Sequence, residues 1–325
     1  MHAAVVTEFG HAPHYLEVAA PTTTEDRPEI VETVAAALHP RVRSQADGTH
    51  YTSGAHEHGA ELPLIPGVDG VVRCADGSLL YVVLPDTRFG SMAELVAIDR
   101  RRSIPVPDNV DPIAIAAAMN PAMSSWVALR RRAHLEPGQS VLVLGATGSA
   151  GRLAVQVAKH LGASRVVAAG RDEMSLHALA AQGADTLVSL AGDDVEAAAR
   201  VADAAADVDV VIDYLWGRPA ELTLPALLTA RPDRSRPLAW VQLGSITGAE
   251  IRLPSALLRQ ANVSLLGSGQ GSVSTRGILE ELVPLLAEVA SGSFTLDTET
   301  RQLTDVETVW TEPSDARRRI VFAIG

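Results

Sequence analysis

Apolar and polar positions along the chain fall into three textures. Up to about residue 115, short apolar runs (AAVVTEF, EIVETVAAAL, VDGVVRC, SLLYVVL and AELVAI) are broken by Pro and Gly at irregular spacing. Such runs predict the short strands of a compact β-barrel-like domain. From about residue 112 the alanine-rich text DPIAIAAAMNPAMSSWVALRRRAHL predicts helix, and an alternation of strands and helices follows. Strands are expected at Val141–Leu144, Arg165–Ala169, Thr186–Val188, Val208–Asp213, Ala239–Leu243 and Val263–Leu266, mostly separated by helical segments. That alternation predicts parallel βαβ units in a doubly wound sheet, so the fold class is α/β. The last stretch carries a helix, TRGILEELVPLLAEVASG, in which Pro284 predicts a kink or break. Beyond it the text turns β-like again, without internal repeats anywhere.

The passage EPGQSVLVLGATGSAGRLAVQVAKHLGASRVVAAGRDEM is the most informative. Val141 to Leu144 form a continuous apolar strand, and Gly145, Gly148 and Gly151 follow in GxxGxxG spacing. Ala150, Leu153, Ala154, Val157, Ala158 and Leu161 then form one apolar helical stripe. Glycines between strand and helix let a backbone approach a pyrophosphate, whose charge rests at the helix N-terminus. The pattern alone is weak, since glycines also serve turns and close packing; its place between strand and helix makes Gly145, Ala146, Thr147, Gly148, Ser149, Ala150 and Gly151 a dinucleotide-binding segment. An NAD site places Asp or Glu at the end of the next strand, on the ribose 2′-hydroxyl. Here that strand runs out at Gly170-Arg171, so the acidic position is vacated and a guanidinium is present, as a 2′-phosphate favours. The other reading of Arg171 is a surface arginine opening a helix beside Asp172. NADPH is the expected cofactor.

Composition narrows the picture further. Within 325 residues there is room for two domains. A net charge of −12, from 27 basic and 39 acidic residues, argues against a nucleic-acid partner. The arginine triplets Arg100–Arg102, Arg130–Arg132 and Arg317–Arg319 read as solvated faces. No stretch approaches the roughly 18 uninterrupted apolar residues of a membrane helix, and no signal peptide opens the chain. A single cysteine, Cys74, rules out an intramolecular disulfide and fits the cytoplasm. The only lysine, Lys159, leaves little scope for Schiff-base chemistry.

With these motifs on the page, the chain resembles the zinc-free quinone oxidoreductase branch of the medium-chain dehydrogenase/reductase superfamily over nearly its whole length. ELPLIPGVDGVV resembles that branch's P-x-x-P-G-x-D-x-x-G element, with Pro63, Pro66, Gly67 and Asp69 in place. GSMAELVAI resembles its Gly-x-x-Ala-Glu segment, and AAAMNPAMSSWVAL its LTAW element. VDVVIDYLWG and WVQLGSITG are similar to the two later strand ends that line the nicotinamide half. The resemblance implies a GroES-like β-barrel catalytic domain, residues 1–118 and 267–325, around a Rossmann domain, residues 119–266, with the active site in the cleft between them. It also implies that Ser124 lies near the nicotinamide, and that Asp213, Leu243, Gly244, Ser245, Gly267 and Ser268 join Ser124, Gly170 and Arg171 in cofactor binding. Members are usually homodimers. The chain departs from the family at the common NPxD, which reads His39-Pro40-Arg41-Val42, so that roles at the Asn and Asp positions do not carry over, and at the usual GDRV, which is blurred into DGSLLYVV.

THYTSGAHEHG crowds His50, His56, His58 and Glu57 together and raises the question of a metal. In zinc members of the superfamily a Gly-His-Glu element supplies a ligand; here it reads Gly67-Val68-Asp69, and one cysteine cannot build a four-thiolate structural site. No metal is expected, and the histidines read as a solvated loop. Tyr51 matches a tyrosine that the branch often carries in xGxY and is the first candidate to hold a substrate oxygen, with Ser124 and Asn120 behind it; the bland reading is an aromatic capping the barrel. Nothing in the sequence supplies a base for alcohol oxidation. The expected function is zinc-independent, NADPH-dependent hydride transfer to a small molecule, a quinone or α,β-unsaturated carbonyl. An enoyl-thioester reductase and an NADPH-binding protein of little turnover remain open.

Overall fold

The computed structural model describes residues 1–51, 61–84, 87–313, 315 and 317–325. In chain order the elements are β1 His2–Val5, β2 His14–Glu17, β3 Glu29–Leu38, α1 Pro40–Ala46, β4 Asp69–Arg73, β5 Leu79–Val83, β6 Leu95–Ile98, β7 Ser103–Val106 and α2 Pro112–Val127. Then come β8 Ser140–Leu144, α3 Ser149–His160, β9 Arg165–Gly170, α4 Glu173–Ala178, β10 Thr186–Ser189, α5 Asp194–Ala205, β11 Val210–Asp213 and α6 Gly217–Ala230. The last are β12 Leu238–Gln242, α7 Leu257–Gln260, β13 Val263–Gly267, α8 Thr275–Ala290, β14 Thr298–Gln302, α9 Val306–Thr311 and β15 Arg319–Ala323.

Two compact units emerge, Met1–Asn120 with Leu282–Gly325, and Pro121–Glu281. The first is built on a seven-stranded sheet in the order β14-β15-β3-β4-β5-β7, with β6 also paired to β3. Strand β3 alternates buried and open positions at its start and ends in Ala35, Ala36 and Ala37, all buried, so its second half is covered on both faces. Small side chains there let the neighbouring strands and the apolar cluster of Ala4, Leu64, Val68, Met92, Trp310 and Phe322 close over it. The C-terminal text returns to this sheet as the β-like pattern implies, but α9 interrupts it.

The second unit is a six-stranded parallel sheet in the order β10-β9-β8-β11-β12-β13. Every residue of β8 is buried, as a strand covered on both faces requires. The expected strands are present, with ends shifted by one or two residues. The second unit ends at Glu281 rather than at the end of β13, and Trp126, Arg130 and Arg131 hold Glu281 to that unit.

Three expectations change on contact with the structure. Helix α8 runs unbroken through Pro284, which sits on its exposed side, where the carbonyl that proline frees meets water. The stretch Pro112–Arg132 is long and apolar enough to cross a membrane by length and composition, yet 67% of it is buried inside the protein, as in a core helix. Two arginine triplets are not simply solvated. Arg130 and Arg131 donate through Nε to the buried Glu281 carboxylate at 2.5 and 2.6 Å, Trp126 Nε1 donates to it at 2.9 Å, and Arg132 Nε donates to the Gly267 carbonyl at 2.8 Å. Arg319 is buried and donates to the Leu38 carbonyl, and burial pushes its pKa down to about 10.

Candidate active site

Strand order reverses between β8 and β11, which makes the space beyond their carboxyl ends the switch point of the sheet, where open α/β folds bind ligands. The first residues beyond those ends are Gly145 and Tyr214. Gly145 has φ +85, and a Cβ there would press on Leu215 and Tyr214. A Cβ on Gly151 would come within 2.2 Å of the Gly145 carbonyl oxygen, so only glycine lets α3 begin this close to the turn. Gly148 caps α3 in an extended conformation and has room for a side chain.

The amide hydrogens of this segment divide sharply. Those of Gly145 and Ala146 both go to the Ala169 carbonyl, and Ala146 is fully buried. These two residues shape the turn, and their amides are already taken within the fold. The first helical bond runs from Arg152 N to the Gly148 carbonyl, so no helical carbonyl takes the amides of Ala150 and Gly151 at the helix start. Those two amides, at the positive end of the α3 dipole, fit a pyrophosphate.

Along the neighbouring strand, β9 ends at Gly170, where a Cβ would stand 2.4 Å from the Thr147 methyl and 2.9 Å from its hydroxyl. No acidic side chain fits there beside Thr147. Arg171 follows, exposed, and holds no hydrogen bond or ion pair among the described residues. Asp172 is engaged otherwise: its carboxylate accepts from Ser175 N at 2.8 Å and caps α4.

Asp213 does not offer its carboxylate to a cofactor. It is fully buried; one oxygen accepts from Leu215 N and Trp216 N at 2.8 and 3.0 Å, and the other from Trp240 Nε1 at 3.1 Å. Its carbonyl accepts from Leu243 N and Gly244 N, which ties the two loops together. Burial raises its pKa, against the pull of those hydrogen bonds. The loop so held contains Trp216 at φ +53, a strained value for a bulky residue, stabilised by Thr247 Oγ1, which donates to the Leu215 and Trp216 carbonyls. Gly244 is required as glycine, since a Cβ there would lie 2.8 Å from the Tyr214 carbonyl oxygen. Leu243 is half-buried and Ser245 exposed beyond the end of β12; Gly267 ends the edge strand β13, and Ser268 N donates to the Gln242 carbonyl. In α2, Ser124 is half-buried and its Oγ lies 2.8 Å from the Tyr214 hydroxyl, and Asn120 sits one turn earlier, also half-buried. Sequence reasoning missed Tyr214, Trp216 and Thr247; the one local signal was an aromatic residue directly after the aspartate of VIDYLWG.

In the other unit the family's aspartate position anchors a buried polar cluster. Asp69 Oδ1 pairs with His39 Nε2 at 3.0 Å, Tyr81 donates to Oδ2 at 2.5 Å, and Ser91 Oγ donates to the Asp69 carbonyl. With both carboxylate oxygens taken, Asp69 is a structural anchor, and His39 stands where the family has asparagine. Burial outweighs the attraction of Asp69 and lowers the His39 pKa, so the imidazole is neutral near pH 7. Tyr51 is 65% exposed, with its ring 4.2 Å from that of His50. Burial, and then Arg41, push His50 down to about 4, so it is uncharged at neutral pH.

The donor set does not fit zinc. Val68 is buried in an apolar cluster, Cys74 in another with Val72 and Leu80, and no group of three or more His, Cys, Asp or Glu is placed to hold a metal among the described residues. His56 and His58 lie outside the described residues.

No protein-family model matches the chain. A probable NADPH-dependent quinone reductase of Emericella nidulans is 31% identical, covering 99% of each chain. The chloroplastic NADPH-dependent alkenal/one oxidoreductase of Arabidopsis thaliana is 29% identical over 61% of this chain and 52% of its own. Among solved structures, the quinone oxidoreductase of Thermus thermophilus, determined also with NADPH, superposes with a TM-score of 0.81 at 23% identity over 100% of both chains. The 31% identity to the Emericella protein along the full length makes this chain a member of the quinone oxidoreductase branch of the medium-chain dehydrogenase/reductase superfamily.

Proposed function

We propose that the protein is an NADPH-dependent, zinc-independent reductase of quinones or α,β-unsaturated carbonyl compounds. The observation that carries this reading is the end of β9: Thr147 leaves no space for an acid at Gly170, and Arg171 stands exposed and unpaired among the described residues where a 2′-phosphate would lie. The full-length relative named for NADPH-dependent quinone reduction supports it. The amides of Ala150 and Gly151 would hold the pyrophosphate, and Arg171 the 2′-phosphate. NADPH, when bound, supplies a hydride.

The chain's own residues favour a conjugated acceptor. Oxidising an alcohol needs a base or a metal to take the hydroxyl proton. Asp69 and Asp213 are both saturated with donors, and the residues at the zinc ligand positions do not fit the ion. A conjugated acceptor needs only a donor to the oxygen on which charge develops, and one such donor is worth about 3 kcal/mol in a closed site. The exposed Tyr51 phenol is the first candidate, with the Asn120 amide behind it. The same reading makes the protein a cytoplasmic homodimer, for which the edge strand β13 supports the association.

The test is a panel of quinones, alkenals, enoyl thioesters and saturated alcohols, followed at the NADPH absorbance with chelator-treated protein. Turnover of quinones or alkenals without zinc is expected, with no alcohol oxidation by NADP⁺. Zinc-dependent turnover, or brisk alcohol oxidation, would overturn the proposal.

A further inference from the structure

Proton accounting at Ser124 gives Tyr214 a role. Ser124 Oγ lies 2.7 Å from the Pro121 carbonyl oxygen and 2.8 Å from the Tyr214 hydroxyl. A carbonyl only accepts, so the single Ser124 proton goes to Pro121. The adjoining Ser125 spends its own proton in the same way on the Ala122 carbonyl, 3.2 Å away. Ser124 can then only accept from the phenol of Tyr214, which has Ser125 as its other hydroxyl neighbour. Burial pushes the Tyr214 pKa up to about 12, so the phenol keeps its proton across the physiological range. Ser124 is left half-buried with no proton to offer and one lone pair unspent. It cannot serve as the oxyanion donor the sequence suggests; it is an acceptor.

Its place adds the second half of the argument. Tyr214 is the first residue past β11 at the switch point, and its Cβ lies 3.3 Å from where a Cβ on Gly145 would stand, so it lies against the glycine turn. Its backbone is fixed as well, through Asp213 and through the contact of its carbonyl with Gly244. A rigid phenol thus aims a serine lone pair beside the dinucleotide turn.

We propose that Tyr214 is a positioning residue that fixes Ser124 as an acceptor, and that this acceptor recognises an N–H donor, the carboxamide of a nicotinamide ring. The inference rests on the dinucleotide reading above and adds how the ring end is chosen. Without the Tyr214 hydroxyl, the Ser124 side chain is free to turn and to present either its proton or its oxygen, and an amide is no longer preferred over a ketone.

The full-length protein is titrated with NADPH and with its 3-acetylpyridine analogue, whose methyl ketone has no N–H, by quenching of tryptophan fluorescence. The wild type is expected to bind NADPH about three- to tenfold more tightly than the analogue, the worth of one neutral hydrogen bond. In Tyr214→Phe that ratio falls below about twofold, in Ser124→Ala it falls equally, and the double variant loses nothing more. Ser124→Thr, which keeps the hydroxyl, retains the wild-type ratio. A residue that merely supported the fold would weaken both ligands alike and leave the ratio intact, which overturns the inference; so do additive losses. Should Tyr214→Phe fail to fold, the ratio in Ser124→Ala decides. A wild type that binds both ligands equally overturns this inference alone, whereas one that binds neither overturns the dinucleotide reading with it.

Discussion

In the proposed function the chemistry turns on two single side chains, Arg171 and Tyr51. Arg171 is exposed and flanked by a glycine that cannot carry a charge. A guanidinium–phosphate contact contributes about 1.5–3 kcal/mol, or roughly 10- to 100-fold in affinity. Arg171→Ala is expected to weaken NADPH by that order while leaving NADH nearly unchanged, read from Kd values for both; equal weakening would assign the side chain to the loop instead. Tyr51→Phe removes one donor and little volume. Its loss is expected in kcat, by about tenfold or more, because the hydrogen bond strengthens as charge builds on the acceptor oxygen. A change confined to KM would make Tyr51 a packing residue. Single residues are legible in the sequence where the local backbone demands glycine, as at Gly145, Gly151 and Gly170, where a Cβ lacks room. A remote partner is not legible in the same way. Ser124 and Tyr214 are 90 positions apart, and nothing near either one announces that the serine proton is already spent.

At the scale of elements, periodicity located nearly every strand of the parallel sheet, because a strand covered on both faces must be continuously apolar. It located α1 and α9 poorly: both are short, and packing rather than pattern fixes them. Charge pattern misled in the same way at Arg130–Arg132, where the sequence shows three cations and the structure shows a helix end bound to α8. Glu281 is the buried acceptor of that junction and takes donors from Trp126, Arg130 and Arg131. Glu281→Gln removes the charge and turns one acceptor into a donor facing donors. A stability loss of about 1–3 kcal/mol is expected, below the figure for a dry pair because both arginines are more than a third exposed. Arg130→Ala and Arg131→Ala should each cost less, since the remaining arginine and Trp126 still satisfy the carboxylate. Chemical denaturation of the three variants checks the order; an arginine variant as costly as Glu281→Gln would refute it.

For the whole molecule, the buried polar groups set how stability responds to pH. His39 has its pKa lowered by burial, so below the unfolded value of about 6.5 the unfolded chain takes up a proton that the folded one refuses. Stability is therefore full above about pH 6.5 and declines as pH falls beneath it. His50, pushed down to about 4, acts in the same direction. The midpoint of thermal unfolding is expected to fall in the wild type between about pH 7 and pH 5. His39→Asn, which keeps a donor for Asp69 but has nothing to titrate, should show a shallower decline. Parallel profiles would remove His39 from the account. None of this was legible in the sequence beyond the departure itself: His39-Pro40-Arg41-Val42 stood out as a mismatch, and only the fold shows that His39 pairs with an Asp69 that Tyr81 also holds.

The fit of Gly170 against Thr147 also constrains the history open to this protein. In a lineage drifting toward the other dinucleotide, a carboxylate arriving first at position 170 would collide with the threonine and spoil the turn for either cofactor. Thr147 must shrink beforehand, by a change that brings no benefit of its own. The two positions are thus coupled in their order of replacement. Thr147→Ala followed by Gly170→Asp should yield a folded protein that accepts NADH, and Gly170→Asp by itself a protein that has lost both. A preference written in packing as well as in charge is slow to reverse.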